Sequence, residues 1–418
     1  MANQQRQSVS ISVIALTLVF IAVTMIIVIP AGQAQTFAVI HTFTGPDGAY
    51  PYGRLAVDSA GNLYGTTYGG GTGCQGYGCG TVFRLVHKNA GWIFYPLYSF
   101  QGGNDGSYPS GGVTIGPDGS LYGTTTYGGG GPCNQIGGPG PGCGTVFRLR
   151  PPARACPNFL CPWSETVLYR FTGGDAGAYP GYGKVVFDQA GDLYGTTQGD
   201  EGNGNAAIVF KLTHSGSSWT ESLIYNFGTA FVASSVIFDG AGNLYGTTAF
   251  GGNGYGSVYE LTPSGSGWTE TTIYAFQDKG DGYDPLGGVA FDLAGNLYGT
   301  TFNDGGRVYQ LTPSNGNWAF STLHYFGAYD GFYDGPTLDP AGNVYGAVYF
   351  PSTISKLTRS NGWLETNLYN FTGGSDGVLP VGGVALDANG NIYGTTSLGG
   401  IDGCSGFNGC GTVFEITP

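Results

Sequence analysis

Short apolar segments alternate with turns rich in glycine and aspartate along almost the whole chain. One representative stretch contains four such segments, "VLYRF" (167–171), "KVVFD" (184–188), "DLYGTT" (192–197) and "IVFKL" (208–212). Each segment is rich in β-branched and aromatic residues and is bounded by Gly, Pro or Asp, which is typical of β-strands. The pattern therefore predicts units of four short strands.

These units recur along the chain. The stretch "DSAGNLYGTTYGGG" at 58–71 returns at 239–252 as "DGAGNLYGTTAFGG". The tyrosine of this motif occurs at Tyr64, Tyr122, Tyr194, Tyr245, Tyr298, Tyr345 and Tyr393. Four strands in a repeat of about fifty residues indicate a β-propeller blade. The glycines do not fit a phosphate-binding loop, because such a loop needs Gly-Lys-Ser/Thr leading into a helix.

The two ends of the chain fall at different points of the repeat. With strands a ("VVFD"), b ("LYGTT"), c ("VFKL") and d ("LYRF"), the last copy stops at strand c, and the N-terminal "FAVIHTF" matches an unattached strand d. Pairing residues 37–43 with residues 413–416 would remove the exposed sheet edges. We therefore expect an all-β, seven-bladed propeller with four-stranded blades, closed by the N-terminal strand.

Two further positions support this register. The tryptophans each lie eight residues before the last Phe of a strand d, and we interpret them as packing between blades rather than as sugar platforms. They are Trp92, Trp163, Trp219, Trp268, Trp318 and Trp363. The Asp that ends strand a, for example Asp58, is interpreted as a turn residue, with Gly61 supplying a positive φ.

The segments "GNLYGTTYGGG" and "GCGTVFRL" resemble the Gloeo/Verruco tandem repeat (GloVer) family of exported bacterial proteins. A more distant similarity links "VxxDxxGNLYG" to NHL-type propeller repeats. The resemblance covers the chain from Gln35 onwards and implies export and a propeller-like fold. It implies no activity and no catalytic residues.

The net charge of the chain and its N-terminal segment indicate which partners and which cellular location to expect. The formal net charge of −13 argues against nucleic acid, because binding phosphates needs clustered Lys and Arg. The apolar run at 11–29, followed by "PAGQAQ", is typical of a signal peptide cleaved before Gln35, although it is also long enough to be an uncleaved membrane anchor. We expect residues 1–34 to direct export, residues 35–418 to form one domain, and the product to be a secreted or cell-surface monomer.

The eight cysteines form four local pairs, and we expect each pair to be a disulfide in an oxidising compartment. Zinc is the alternative, but the pairs lie on separate blades and no His lies nearby to complete four ligands. The predicted pairs are Cys74 with Cys79, Cys133 with Cys143, Cys156 with Cys161, and Cys404 with Cys410.

One face of the disc is the candidate binding site, because the d–a and b–c loops should lie together there. Its acids and tyrosines suit carbohydrate or calcium, and the alternative is that Asp-Gly and Tyr-Pro serve only the turns. Two cations on strand a could hold an anion at the channel mouth or reach water. The candidates are Asp47, Tyr50, Arg54, Asp105, Tyr108, Asp175, Tyr179, Lys184, Asp281, Tyr283, Asp330, Tyr333 and Asp376.

These observations favour a non-catalytic, exported module that binds a glycan or a protein through this face. An enzyme remains the alternative, a lyase, lactonase or glycan hydrolase using paired aspartates on the face. Purely structural surface material is a third class. We assign no catalytic residue, no metal site and no cofactor, with calcium as the one cation that the acidic loops would suit.

Overall fold

The computed structural model describes residues 35–418 except 75, 90, 134–140, 153–162, 200–203, 217, 233, 252–253, 278, 328–330, 401–403 and 405–408. The segment Phe37–Thr417 forms one compact unit. The predicted signal segment, Cys156, Cys161 and Asp330 lie outside the described residues. Among the residues that are described, no helix is both long and apolar enough to span a bilayer.

The described residues form seven four-stranded antiparallel sheets, which confirms the predicted propeller. The innermost strands a are β2 (Ala56–Val57), β6 (Val113–Ile115), β10 (Val186–Phe187), β14 (Ile237–Phe238), β18 (Ala290–Phe291), β22 (Thr337–Leu338) and β26 (Val384–Leu386). The strands b are β3 (Leu63–Thr67), β7 (Leu121–Thr125), β11 (Leu193–Thr196), β15 (Leu244–Thr248), β19 (Leu297–Thr301), β23 (Val344–Val348) and β27 (Ile392–Thr396).

The two outer strands of each blade are longer. The strands c are β4 (Thr81–Lys88), β8 (Thr145–Arg150), β12 (Ile208–Ser215), β16 (Ser257–Ser264), β20 (Arg307–Ser314), β24 (Thr353–Thr358) and β28 (Thr412–Thr417). The strands d are β1 (Thr36–Thr42), β5 (Gly91–Ser99), β9 (Ser164–Arg170), β13 (Ser218–Asn226), β17 (Gly267–Ala275), β21 (Asn317–Tyr325) and β25 (Leu364–Asn370). Two short 3-10 turns occur at Gly174–Ala176 and Arg359–Asn361.

The ring closes as the phase of the repeat predicts. Blades 1 to 6 are consecutive, β2–β5 through β22–β25, and blade 7 combines β26, β27 and β28 with β1. At the end of β1 the backbone N–H of Phe43 donates to the carbonyl of Gly411 at 3.0 Å. The N-terminal strand is therefore the outer strand of the last blade.

Strand a is shorter than the sequence pattern suggests. In blade 3 only Val186 and Phe187 pair with strand b, where five residues were expected. The seven segments that precede strand a converge toward the axis here, and their backbones are in contact. A Cβ added to Gly53 would lie 2.3 Å from the backbone N of Gly112. The glycines before strand a therefore allow close contact between blades and do not extend the pairing of strand a with strand b.

The apolar cores lie between blades. One such core contains Tyr64 and Val82 of blade 1 together with Val113 and Phe147 of blade 2. Each tryptophan packs with its ring centroid about 6 Å from a motif tyrosine of the preceding blade, which confirms the predicted role. The pairs are Trp92–Tyr393, Trp163–Tyr64, Trp219–Tyr122, Trp268–Tyr194, Trp318–Tyr245 and Trp363–Tyr298.

The motif aspartate closes the turn between strands a and b. The carboxylate of Asp58 accepts hydrogen bonds from the backbone N–H groups of Ala60 and Asn62 and from the hydroxyl of Tyr64. Burial alone would raise the pKa of Asp58, but these hydrogen bonds outweigh it and hold the pKa below its usual value. In copy two, where Gly116 replaces this aspartate, Asp118 bonds to the motif tyrosine instead.

Three of the predicted disulfides are present within the described residues, Cys74–Cys79, Cys133–Cys143 and Cys404–Cys410. Each joins two ends of one b–c loop. Cys79, Cys143 and Cys410 are fully buried just before strand c, so each bridge ties its loop to the rigid part of the blade.

Candidate functional site

The d–a and b–c loops lie on one side of the disc and pair with each other. Ala49 and Gly69 of blade 1 exchange two backbone hydrogen bonds of 2.9 Å. Equivalent bridges join Ser107–Tyr127, Phe231–Phe250, Tyr283–Asn303, Phe332–Val348 and Val378–Leu398. We call this side the loop face and the opposite side, which carries the a–b turns, the turn face.

Most of the predicted acids are engaged within their own d–a loops. Their carboxylates accept from an aromatic side chain of strand d and from a backbone N–H at the start of the loop. Asp47 bonds to His41 and Thr44, Asp105 to Tyr98 and Gln101, Asp281 to Tyr274 and Gln277, and Asp376 to Tyr369 and Thr372. These contacts give the four acids a structural role. Whether they also contact a ligand stays a prediction.

Three of the predicted tyrosines hold the loops in place. Tyr50, Tyr108 and Tyr179 have φ values near +60°, immediately before a proline. Tyr50 and Tyr179 are 7% and 4% exposed. The ring of Tyr108 stacks on Tyr68 with centroids 4.3 Å apart. These rings therefore build the floor of the loop face more than its open surface.

The remaining loop candidates are dispersed. Asp175 lies exposed in the 3-10 turn Gly174–Ala176. Tyr283 is half-buried against Tyr255, with centroids 5.8 Å apart. Asp330 lies outside the described residues.

Arg54, Lys184 and Tyr333, by contrast, line one cavity on the axis of the propeller. This central channel has a volume of about 1030 Å³, and all seven blades contribute to its wall. Apolar side chains of strand a form much of the wall, including Val186, Ile237 and Phe291. The volume lies at the upper end of the range typical of small-molecule sites.

The charged groups of the channel reach across neighbouring blades. Arg54 of blade 1 passes over Gly383 of blade 7 and pairs through Nε with Asp334 of blade 6 at 2.9 Å, and its terminal Nη2 donates to the carbonyl of Gly335. A Cβ at Gly383 would lie 2.6 Å from the Asp334 carboxylate. Because Gly383 has no side chain, Arg54 and Asp334 can approach each other closely enough to form this ion pair.

Lys184 of blade 3 makes the same kind of crossing. Its side chain passes over Gly112 of blade 2, and its Nζ donates to the carbonyl of Leu55 in blade 1 at 3.1 Å. A Cβ at Gly112 would lie 3.1 Å from Lys184 Cε. The loss of solvation inside the channel, followed by the nearby charge of Arg54, lowers the pKa of Lys184 to about 7, with Asp334 partly opposing both effects.

Three tyrosines that line the channel, Tyr52, Tyr182 and Tyr333, form what we call the tyrosine rim. They precede strand a, so they stand at the loop-face end of the channel. Tyr182 is 46% exposed. Burial raises the pKa of Tyr333 to about 12, with Tyr182, Tyr349 and Tyr52 adding to the shift. The rim therefore presents neutral phenol groups at physiological pH.

Asp334, Tyr52 and Tyr182 line the channel but are not among the residues predicted from the sequence. Counting back from the turn aspartate would have found them. Four residues before it lie Arg54, Lys184 and Gly335, and five before it lies Asp334. Six before it lie Tyr52, Tyr182 and Tyr333. This count assigns Asp334, which directly follows the predicted face residue Tyr333, to the channel.

Among the described residues, no three His, Cys, Asp or Glu side chains converge on a point where they could hold a metal ion. Calcium at the acidic loops thus stays a prediction, with no described cluster to support it.

Several solved structures share the fold at low sequence identity. A proposed 6-phosphogluconolactonase of Bacteroides fragilis aligns with a TM-score of 0.50 at 14% identity, over 76% of this chain and 82% of its own. A Lactobacillus plantarum protein aligns with a TM-score of 0.53 at 13% identity, over 80% and 89%. PorZ, a surface component of the type-IX secretion system of Porphyromonas gingivalis, aligns with a TM-score of 0.50 at 14% identity, over 90% of this chain and 47% of PorZ.

These likenesses show the propeller fold alone, since identity is far below the level at which function transfers. No curated protein matches the chain in sequence. The model of the Gloeobacter/Verrucomicrobia repeat, by contrast, matches residues 26–180 and 133–352, which together span more than half of the chain. The protein therefore belongs to the Gloeobacter/Verrucomicrobia repeat family.

Proposed function

We propose that this propeller is an exported, non-catalytic binding module that recognises a glycan through its loop face. The observation that carries the proposal is the tyrosine rim at the mouth of a channel of about 1030 Å³. Tyrosine offers a flat apolar ring for a sugar face and a hydroxyl for its polar groups. A rigid scaffold presenting such side chains on loops is the usual arrangement of a binding site.

Aromatic side chains extend outward from the rim along the loops. Tyr52 contacts Tyr68 at 5.4 Å, and Tyr68 stacks on Tyr108. In blade 6, Tyr333 stacks near Tyr349 at 5.8 Å. A glycan of several sugar units would find aromatic contacts on the loops of more than one blade, which favours an extended ligand over a single small molecule.

The cysteines support export. Three disulfides within the described residues suggest an oxidising, extracytoplasmic compartment. A secreted or cell-surface location, with or without a retained N-terminal anchor, follows from this proposal together with the apolar run at 11–29.

The enzyme alternative rests on paired carboxylates, as in glycoside hydrolysis. Among the described residues that line the channel, Asp334 is the one carboxylate, and it is paired with Arg54. Since no observation singles out a second acid there, binding is the function that the geometry supports better.

The proposal is tested by screening the purified protein against a glycan panel and measuring affinity for the strongest hit. Tyr182→Ala removes an exposed rim ring and should weaken binding about fivefold or more, the effect of one lost aromatic contact. Leu293→Ala is the matched control, because Leu293 is 98% exposed and lies in an a–b turn on the turn face. Equal affinities of the two variants would argue against the loop face, and a protein ligand without any glycan hit would replace the proposed partner.

A further inference from the structure

The cations of the channel are incompletely neutralised. Arg54 and Lys184 contribute two positive charges when both are protonated, and Asp334 contributes one negative charge, which leaves a net charge of +1. Every other described side chain that lines the channel is uncharged. Burying a charge in such surroundings is unfavourable unless an opposite charge compensates it. The channel therefore favours one additional negative charge.

Hydrogen-bond donors are available for that charge. In the described part of the chain, the Lys184 ammonium has one acceptor, the carbonyl of Leu55, although an ammonium carries three N–H groups. Arg54 uses Nε and one terminal nitrogen for Asp334 and Gly335, which leaves the second terminal nitrogen without an acceptor among the described residues. Lys184 Cε and the backbone of Arg54 approach the same glycine, Gly112, and the charge of Arg54 acts on Lys184, so the two cations lie near each other in the channel.

We propose that Arg54 and Lys184 bind the carboxylate of an acidic sugar whose ring lies against the tyrosine rim. This inference rests on the proposed function and specifies its ligand class. A carboxylate supplies the single negative charge that the three side chains lack, and the Arg54 guanidinium suits its planar geometry. Tyr52 and Tyr182 each precede a cation, Arg54 and Lys184, by two residues, and Tyr333 directly precedes Asp334. An entering sugar therefore contacts the rim and the cations together.

The site should depend on pH. The groups that face Lys184 are Arg54, Asp334 and the phenols of the rim. The rim phenols have raised pKa values, so they stay neutral well above pH 7. Lys184, with a pKa lowered to about 7, loses its charge in the free protein as pH rises through neutrality. Carboxylate affinity should therefore be highest below pH 7 and should fall toward pH 9.

The experiment compares a tri-galacturonate with its fully methyl-esterified form, which differs by three methyl groups and carries no charge, by calorimetry at pH 6 and pH 9. We expect the acid to bind at least tenfold more tightly than the ester at pH 6, with the ratio falling severalfold by pH 9. Acetate is the third probe, because acetate binding as tightly as the acid would show that only an anion is recognised and would contradict the sugar part of the proposal.

Two variants make the outcome specific to the cations. Lys184→Met should reduce the acid to the affinity of the ester, whereas Lys184→Arg should keep the preference and lose its pH dependence, since Arg stays protonated. Because Lys184→Met removes a poorly solvated charge, its melting temperature should not fall, and Lys184→Arg remains informative if it does.

The carboxylate site and the proposed glycan binding can be disproved separately. Equal binding of acid and ester, both weakened by Tyr182→Ala, overturns the carboxylate site and leaves glycan binding intact. If neither compound binds, the acidic-sugar inference is wrong and the glycan panel decides the proposed function by itself.

Discussion

Glycine at two positions lets long side chains cross the channel from one blade to the next but one. Gly112 lies beneath the Lys184 side chain, and Gly383 lies beneath the Arg54–Asp334 ion pair. Both have positive φ values, +78° and +64°. The side chains that meet on the axis therefore depend on residues that contribute no side chain at all.

Replacing Gly112 with Ala should destabilise the protein by about 2–4 kcal/mol, from roughly 1–2 kcal/mol for a left-handed backbone and a similar cost for overpacking. The new Cβ would lie 2.8 Å from the Arg54 carbonyl oxygen. Gly61→Ala is the control, because Gly61 has a φ of +77° and nothing within 4 Å of its added Cβ. Denaturant unfolding measures both variants. Equal losses would show that the crossing at Gly112 adds no packing constraint.

The strands d of neighbouring blades meet through one pair of side chains. One member of this pair lies two residues after the tryptophan position of strand d. In several blades it is aromatic: Phe94 stacks on His41 with centroids 4.0 Å apart, and Phe320 stacks on Tyr274 with centroids 4.3 Å apart. Elsewhere it is acidic, as in Glu365, which pairs with His324 at 3.2 Å. The same contact between blades is thus made either by ring stacking or by a polar pair of side chains.

Glu165 is a member of this set whose charge is not compensated. Burial and the charge of Asp105 raise its pKa to about 7, and Arg170 only partly opposes them. Its Oε1 is buried with no hydrogen-bond partner among the described residues. A carboxyl whose pKa is raised on folding costs stability as pH rises, with the cost growing from about pH 4.5 and complete above about pH 7.

Glu165→Gln should therefore raise the melting temperature at pH 8 and change it little at pH 4, because only the ionised carboxylate is penalised. Glu270→Gln is the matched control, since Glu270 occupies the same position after Trp268 and accepts a hydrogen bond from Thr272. Thermal unfolding across this pH range is the measurement. A benefit of Glu165→Gln that persists unchanged at pH 4 would mean that shape, and not charge, limits this contact.

The disulfides act on single loops. Cys133 and Cys143 lie in a buried cluster with Tyr179 of the next d–a loop. Replacing both with Ser should lower stability by about 3 kcal/mol at most, the entropy expected for a short closed loop. Chemical reduction of the unmodified protein is the control. Peptide mapping without reductant checks the pairing directly and also tests Cys156–Cys161; free thiols or links between blades would contradict the assignment.

How far the sequence predicts this structure depends on the range of each interaction. Strand order, the turn role of Asp58, the tryptophan contacts and the ring closure follow from local pattern repeated seven times. The Arg54–Asp334 pair does not, because 280 residues separate its members. Every other copy has Gly or Ser in the slot of Asp334, and every other copy except that of Lys184 has Gly or Ser in the slot of Arg54. The Glu365–His324 contact likewise does not follow from the pattern of one repeat, because its two residues belong to neighbouring blades.

At the scale of the whole molecule, stability depends on closing the ring. Strand β1 covers β28, which would otherwise be an exposed sheet edge. Together with Phe43, which follows it directly, the strand also contributes to two cores between blades. Phe37 stacks on Tyr369 with centroids 3.5 Å apart, and the fully buried Phe43 packs against Phe83 at 5.2 Å. The strand therefore connects blade 7 with both of its neighbours.

Deleting residues 35–45 should consequently lower the stability of the entire propeller rather than loosen one end. Removal of the fully buried Phe43 alone costs about 3–5 kcal/mol, the loss of the partly buried Phe37 adds to this cost, and the exposed edge of β28 should promote association. Ala38→Lys is the control within the same strand, because Ala38 is exposed and its replacement leaves the ladder intact. Hydrogen exchange monitored blade by blade measures the result. We expect faster exchange in all seven blades of the deletion variant, because a ring opened at one interface loses the mutual constraint on the others. Faster exchange confined to blades 6, 7 and 1, with unchanged protection in blades 3 and 4, would show that the blades are stable as a linear array and that closure is not what stabilises them.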